Sequence, residues 1–168
     1  VKGGIDISSD GERIFAAIGS SVLLFNKGSN KPVWQYRAGG NVSGASYNVS
    51  ISSDGEYMAS AMAGGGETIT KDGQIQTSDV LIFWKADSEE PLWKYQTSGN
   101  FHDVSISEDG SYIAAATGCP DRRAYIFSKD SNEPLIRSEM LTRDSPVDES
   151  KISANGSFAV FGSESGDG

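Results

Sequence analysis

A stretch ending in Asp-Gly or Asn-Gly that returns four times, an ordered set of short apolar segments after each return, and the lack of any sustained helical period together predict one fold class for this 168-residue chain. It is all-β: a β-propeller of four-stranded antiparallel blades, three complete and the first half of a fourth, forming a partial ring.

The repeat opens with Ile5-Asp-Ile-Ser-Ser-Asp10-Gly11 and returns as Val49-Ser-Ile-Ser-Ser-Asp54-Gly55, Val104-Ser-Ile-Ser-Glu-Asp109-Gly110 and Ser150-Lys-Ile-Ser-Ala-Asn155-Gly156. The turn residues at 10, 54, 109 and 155 are 44, 55 and 46 residues apart, the period of a propeller blade with one insertion. This first segment alternates apolar and polar residues and runs into a hairpin signal, so it predicts a strand and a tight turn.

The second segment is rich in small residues: Ile14-Phe-Ala-Ala-Ile18, Tyr57-Met-Ala-Ser-Ala61, Tyr112-Ile-Ala-Ala-Ala116, then Phe158-Ala-Val-Phe161. Alanines there let neighbouring sheets approach near the ring axis. A third segment follows as Val22-Leu-Leu-Phe25, Val80-Leu-Ile-Phe83 and Ala124-Tyr-Ile-Phe127. The fourth comes after a polar turn and starts at proline: Pro32-Val-Trp-Gln-Tyr36, Pro91-Leu-Trp-Lys-Tyr95 and Pro134-Leu-Ile-Arg-Ser138. Proline lacks an N–H, which suits an outer edge strand, and Trp34 and Trp93 supply large apolar area between blades. One partial propeller over 1–168 results, with blades at about 5–38, about 48–97 (insertion 64–79) and about 103–138, and a half blade at 150–163.

Composition narrows the function classes. A net charge of −9 is the wrong sign for a nucleic-acid footprint and repels anionic lipid. No apolar run approaches the length of about 20 residues that a membrane helix needs, so neither nucleic-acid binding nor membrane insertion is expected. Cys119 is the single cysteine and His102 the single histidine, which rules out an internal disulfide and any cysteine-based or histidine-rich metal cage. There is no Gly-x-Ser-x-Gly elbow and no phosphate loop, so no catalytic residue, metal or cofactor is expected. Asn-x-Ser sequons begin at Asn41, Asn48 and Asn155, the last already explained by the hairpin turn it fills.

The Val-x-Ile-Ser-x-Asp-Gly, small-residue, Val-x-Ile-Phe and Pro-Leu-Trp-x-Tyr segments resemble WD40-like repeats, and still more the PQQ-like (quinoprotein-like) propeller repeats of archaeal and bacterial proteins. The resemblance covers nearly the whole chain and speaks for fold rather than function. It departs from both patterns. The Trp-Asp dipeptide is absent, since Phe25, Phe83 and Phe127 precede Asn26, Trp84 and Ser128. Of the quinoprotein docking motif only Trp34 and Trp93 survive. Leu24, Asn26 and Ser29-Asn30 stand at its Ala, Asp and Thr-Gly positions in the first blade, and Phe83, Lys85 and Ser88-Glu89 in the second. Quinone-dependent members also use a vicinal cysteine pair, which one cysteine cannot supply, so the likeness describes ancestry and not a bound quinone.

Propeller geometry puts the uniform Asp-Gly and polar-Pro turns at one end of the ring and the diverse loops at the other, where binding belongs. The insertion reads as a polar hairpin, Thr68-Ile-Thr and Gln74-Ile-Gln around Lys71-Asp72-Gly73. Paired Arg122 and Arg123, after Cys119-Pro120, have forked donors suited to a carboxylate, a phosphate or an acidic partner, or else they balance nearby acids. His102 is placed in the loop entering the third blade and Tyr47 in the long 38–48 connection. The candidate contacts on this face are therefore Tyr47, Glu67, Asp72, His102, Arg122 and Arg123.

The expected function is a non-enzymatic binding or scaffold propeller for a protein or glycan. The resemblance implies a larger cell-surface or secreted prokaryotic protein. The alternatives are a cytoplasmic WD40-like adaptor, and an enzyme whose active site lies in further blades. Strand one at Ile5 and strand two ending at Phe161 lead to the further expectation of a larger ring in a longer chain, rather than two copies assembling.

Overall fold

In a computed structural model of the chain, residues 4–37, 46–69 and 75–163 are described, with backbone alone for 46–47, 63–69 and 75–78. Strands β1 (Ile5–Ile7), β2 (Arg13–Ile18), β3 (Ser21–Asn26) and β4 (Pro32–Arg37) form the first sheet in that order. The second holds β5 (Ser46–Ile51), β6 (Tyr57–Ile69), β7 (Ile75–Lys85) and β8 (Trp93–Gln96). The third holds β9 (Phe101–Ile106), β10 (Tyr112–Thr117), β11 (Ala124–Ser128) and β12 (Ile136–Arg137), and β13 (Val147–Ile152) pairs with β14 (Ala159–Ser163). All pairings are antiparallel, and β1, β5, β9 and β13 stand next to one another along the inside of the arc. No helix among the described residues is long and apolar enough to cross a membrane.

Two apolar layers hold the three blades together. Strand alternation sends Met58, Met62, Val80, Ile82 and Trp84 toward Phe15, Val22, Leu24 and Trp34 of the first blade. The intervening Ala59, Ala61, Leu81 and Phe83 face Phe101, Ile113, Tyr125 and Phe127 of the third. The second blade is thus buried on both sides, which is why Val80-Leu-Ile-Phe-Trp84 of β7 reads as a continuous apolar run rather than an alternating pattern. Ala114, Ala115 and Ala116 are fully enclosed, as expected of small residues where sheets converge.

The tryptophans do more than fill space. Trp34 Nε1 donates to the Ala86 carbonyl of the next blade, and Trp93 Nε1 to that of Lys129, both at 2.9 Å. Each indole therefore clips the outer edge of its blade to the turn after the next blade's third strand. In the third blade Ile136 occupies the equivalent position, has no donor and is 58% exposed, against 8% for Trp34. The fourth segment expected over Pro134–Ser138 is accordingly reduced to the two-residue β12.

The insertion also differs from expectation. It pairs as a hairpin, from Gly66↔Ser78 to Ile69↔Ile75, but its arms continue β6 and β7 rather than forming separate strands. Between Met62 and Gly66 the register shifts, four residues of β6 advancing against two of β7, so the glycine run coincides with a β-bulge.

Candidate binding face

Antiparallel order fixes two ends. The β1–β2 and β3–β4 turns share one; the β2–β3 loops and the connections between blades share the other.

At the first end every blade builds the same turn. Ser8, Ser52, Ser107 and Ser153 hydroxyls donate to the carboxylate or amide oxygen two residues on, at 2.7, 2.6, 2.9 and 2.9 Å. The same oxygens accept the N–H of Glu12, Glu56, Ser111 and Ser157 at 2.9 to 3.0 Å. The glycines that follow lie in the left-handed region, φ 69° to 72°. Adjacent turns are tied by backbone bonds: Ser9 N–H to Ser53 C=O, Ser53 N–H to Glu108 C=O and Glu108 N–H to Ala154 C=O, each 2.9 Å. A hollow of about 670 Å³ lies over these turns, bordered by Asp10, Asp54, Glu108, Asp109 and Asn155. The Asp10, Asp54 and Asp109 carboxylates are committed to their own turns; Asp109 is held down to about 2 by the Ser111 hydroxyl and N–H.

A second repeated device joins the inner strands. The side chain between the two apolar residues of Val-x-Ile accepts the N–H of the isoleucine in the next blade. Asp6 Oδ2 takes Ile51 at 2.9 Å, Ser50 Oγ takes Ile106 at 3.2 Å, and Ser105 Oγ takes Ile152 at 3.2 Å. Each bond satisfies a strand N–H that no fifth strand is present to accept. Asp103, buried, reaches both neighbours. It accepts from Asn48 Nδ2 of the second blade and from the Ser150 N–H (2.7 Å) and hydroxyl (2.9 Å) of the half blade. Burial raises its pKa against those bonds.

Of the predicted contacts, the described side chains of His102, Arg122 and Arg123 lie toward the other end. His102 lies in β9 and not in a loop; it is half-buried, and its Nδ1 is 3.0 Å from Asp148 Oδ1 of the half blade. Tyr47 likewise belongs to a strand: β5 starts at Ser46, and Tyr47 is the extra residue where the register shifts between Ser46 and Asn48. Its side chain lies outside the described residues. Glu67 pairs with Thr77 in the extended hairpin, its side chain also outside them, as are Asp72 and the whole tip 70–74. The arms of that hairpin run away from the Asp54-Gly55 turn.

Arg122 and Arg123 fall in the β10–β11 loop and hold it against the connection to the half blade. Arg122 Nε donates to Cys119 Sγ at 3.1 Å and its Nη1 to the Arg143 carbonyl, while Leu141 N–H donates back to Arg122 C=O at 3.0 Å. Arg123 Nη1 donates to the Ser138 carbonyl. Its Nε is 3.2 Å from Asp121 Oδ1, an ion pair without an aligned hydrogen bond.

Asp121, which the sequence does not single out, is the centre of this corner. Its buried carboxylate accepts from Thr117 Oγ1 (2.9 Å) and Tyr125 OH (2.6 Å), and Arg137 Nη2 is 3.6 Å away. Burial, then the bond to Asp121, push the Tyr125 hydroxyl's pKa up, so it stays a donor. The only sequence cue is indirect: Asp121 sits between the singled-out Cys119 and Arg122. Nothing in this corner pairs a nucleophile with a base. Among the described residues no three His, Cys, Asp or Glu side chains gather as a metal site.

No family model and no curated protein sequence matches the chain. Among solved structures, a chain of the crystal structure of a mitotic checkpoint complex is similar over 95% of the present chain, with a TM-score of 0.68 and 18% identity. The present chain spans 46% of that chain's length. At this identity the likeness bears on the fold alone, which is that of a β-propeller.

Proposed function

We propose that the chain is a non-enzymatic binding or scaffold module whose partner, a protein or a glycan, meets the end of the arc opposite the Asp-Gly turns. One observation carries the reading. The Asp-Gly end repeats a single hydrogen-bonded turn four times, whereas the opposite end bears an extended hairpin, an arginine-held loop and a nine-residue blade connection. A rigid scaffold with variation confined to one end is how loop-borne binding sites are organised.

In this proposal further blades of a longer chain cover the two outer faces. Ile5, Ile7 and Ile18 on one side, and Phe158 and Val160 on the other, are exposed apolar residues of a kind that soluble rings keep covered. Membership of a larger cell-surface or secreted prokaryotic protein is carried by the sequence resemblance alone.

The test is to select ligands from peptide and glycan arrays and map their footprint by hydrogen exchange. Protection confined to residues 97–102, 118–123 and 138–148 supports the reading. Protection centred on the turns at Asp10, Asp54 and Asp109 overturns it.

A further inference from the structure

In a chain of net charge −9, four of the six arginines, Arg122, Arg123, Arg137 and Arg143, fall within one corner of the third blade. Three of them are tied to neighbouring groups, while the Arg143 side chain is exposed. Arg123 and Arg137 converge on the buried Asp121, and Arg122 is fixed between Cys119 Sγ and the Arg143 carbonyl. Each guanidinium carries five donors, and the bonds just named use two of those on Arg122, so its plane is held while further N–H groups stay available. Holding the fork in advance lowers the ordering cost of binding an anion. Arg122 also has a φ of 51°, left-handed backbone that non-glycine residues seldom adopt. Its bond to the Arg143 carbonyl, with the Leu141 N–H bond to its own carbonyl, sets it against the 138–143 connection.

Immediately beside it two aliphatic side chains reach the surface. Met140 and Leu141 are about half exposed, and with Thr142, Arg143 and Asp144 they border a hollow of about 610 Å³. Leu141 is held there by its bond to the Arg122 carbonyl. An isolated aliphatic pair on a surface is ordinary, but one between the preset Arg122 fork and the exposed Arg143 in an acidic molecule is a two-part recognition surface.

We propose that this corner, Arg122 and Arg143 beside Met140 and Leu141, docks an acidic peptide segment carrying an aliphatic side chain. The carboxylates meet the guanidinium forks, and the aliphatic group packs on Met140 and Leu141 at the edge of the hollow. Charge complementarity selects this occupant: a basic peptide would face the arginines, whereas an acidic one, repelled by the net charge of −9, meets four arginines gathered here. The inference rests on the reading that the diverse-loop end is the binding end.

The test uses the ¹⁵N-labelled chain and the probe acetyl-Gly-Ser-Glu-Glu-Leu-Glu-Glu-Gly-Ser-amide, with its Glu-to-Gln and Leu-to-Ser analogues. Saturable binding is expected, shifting the Arg122 Nε–H and Leu141 amide signals, weakening with salt, and lost in either analogue. Arg143→Glu weakens it by about tenfold or more, since a charge-assisted contact at an interface is of that size. The Arg143 side chain is exposed, so the variant keeps the amide spectrum elsewhere. Arg122→Lys, which keeps the charge and loses the fork, weakens binding as well. No saturable binding, or binding indifferent to Arg143→Glu, overturns the inference. Shifts at His102 or 97–100 instead refute this corner while sparing the loop-end reading; shifts confined to the Asp-Gly turns refute both.

Discussion

Asp103 shows how much of the ring depends on single polar side chains. One carboxylate of the third blade accepts from Asn48 on one side and twice from Ser150 on the other. Asp103→Ala leaves the buried Ser150 N–H without an acceptor and is expected to cost about 2–4 kcal/mol, read as a lower urea midpoint at unchanged slope. A loss below about 0.5 kcal/mol would mean the bonds are replaced by water. Titration gives an independent sign. Burial raises the folded pKa of Asp103 above its unfolded value of 3.8, so folding disfavours its ionised form. As pH falls from 7 through the raised pKa, wild type gains stability relative to Asp103→Asn, which cannot titrate. A pH-independent difference between the two would contradict the burial argument.

At the scale of the element, the Asp-Gly turn is one structure used four times, yet its glycines are not equivalent. A Cβ on Gly110 would lie 2.4 Å from Tyr57 Cδ2 of the preceding blade, and one on Gly156 would lie 2.3 Å from Tyr112 Cδ2. At Gly11 the nearest side-chain atom is Ile7 Cδ1 at 4.0 Å. Gly11→Ala therefore meets left-handed strain alone, about 1 kcal/mol, whereas Gly110→Ala adds a clash with a packed aromatic ring worth about 1–3 kcal/mol more. Thermal unfolding of the two variants should separate them clearly; equal losses would show that the tyrosine moves aside freely. The turns, the strand order and the Trp34 and Trp93 contacts were legible in the sequence because each rests on local chemistry that recurs at fixed offsets. What recurrence cannot show was missed. The Asp103 bridge and the Asp121 centre join residues through space, with no counterpart at the same offset in the first blade, where Gly4 stands at the Asp103 position. His102 and Tyr47 were assigned to loops because strands β9 and β5 begin before the apolar alternation does. Arg122 and Arg123 were legible as a feature, but the carbonyls that orient them come from a connection with no periodic signal.

Taken as a whole, the arc has a direction. Turn N–H groups, inner-strand N–H acceptors and indole clips each link one blade to the next, and in the half blade the acceptor position holds Lys151, which cannot accept. The outer surfaces at either side are the least satisfied parts of the molecule: Ile5 is 73% exposed, Ile18 62%, Phe158 76% and Val160 65%. Burying side chains of this size contributes about 1.5–3 kcal/mol each, so leaving several in water forfeits a sum comparable with the whole stability of a domain. Repeat arrays obtain their stability from neighbour interfaces, and the second blade has two such interfaces where the half blade has one. Residues 1–168 expressed alone should therefore unfold over a broad transition, the half blade first, and should associate as concentration rises. Ile18→Thr with Phe158→Ser should reduce the association without sharpening the transition, because polar substitution makes the faces soluble but supplies no neighbour. The measurements are sedimentation equilibrium and urea unfolding followed separately by Trp fluorescence, which reports the first two interfaces, and by hydrogen exchange of β13 and β14. A strictly monomeric chain whose two probes coincide in one sharp, reversible transition would show that the exposed faces carry no serious cost, and the proposal that further blades cover them would fall.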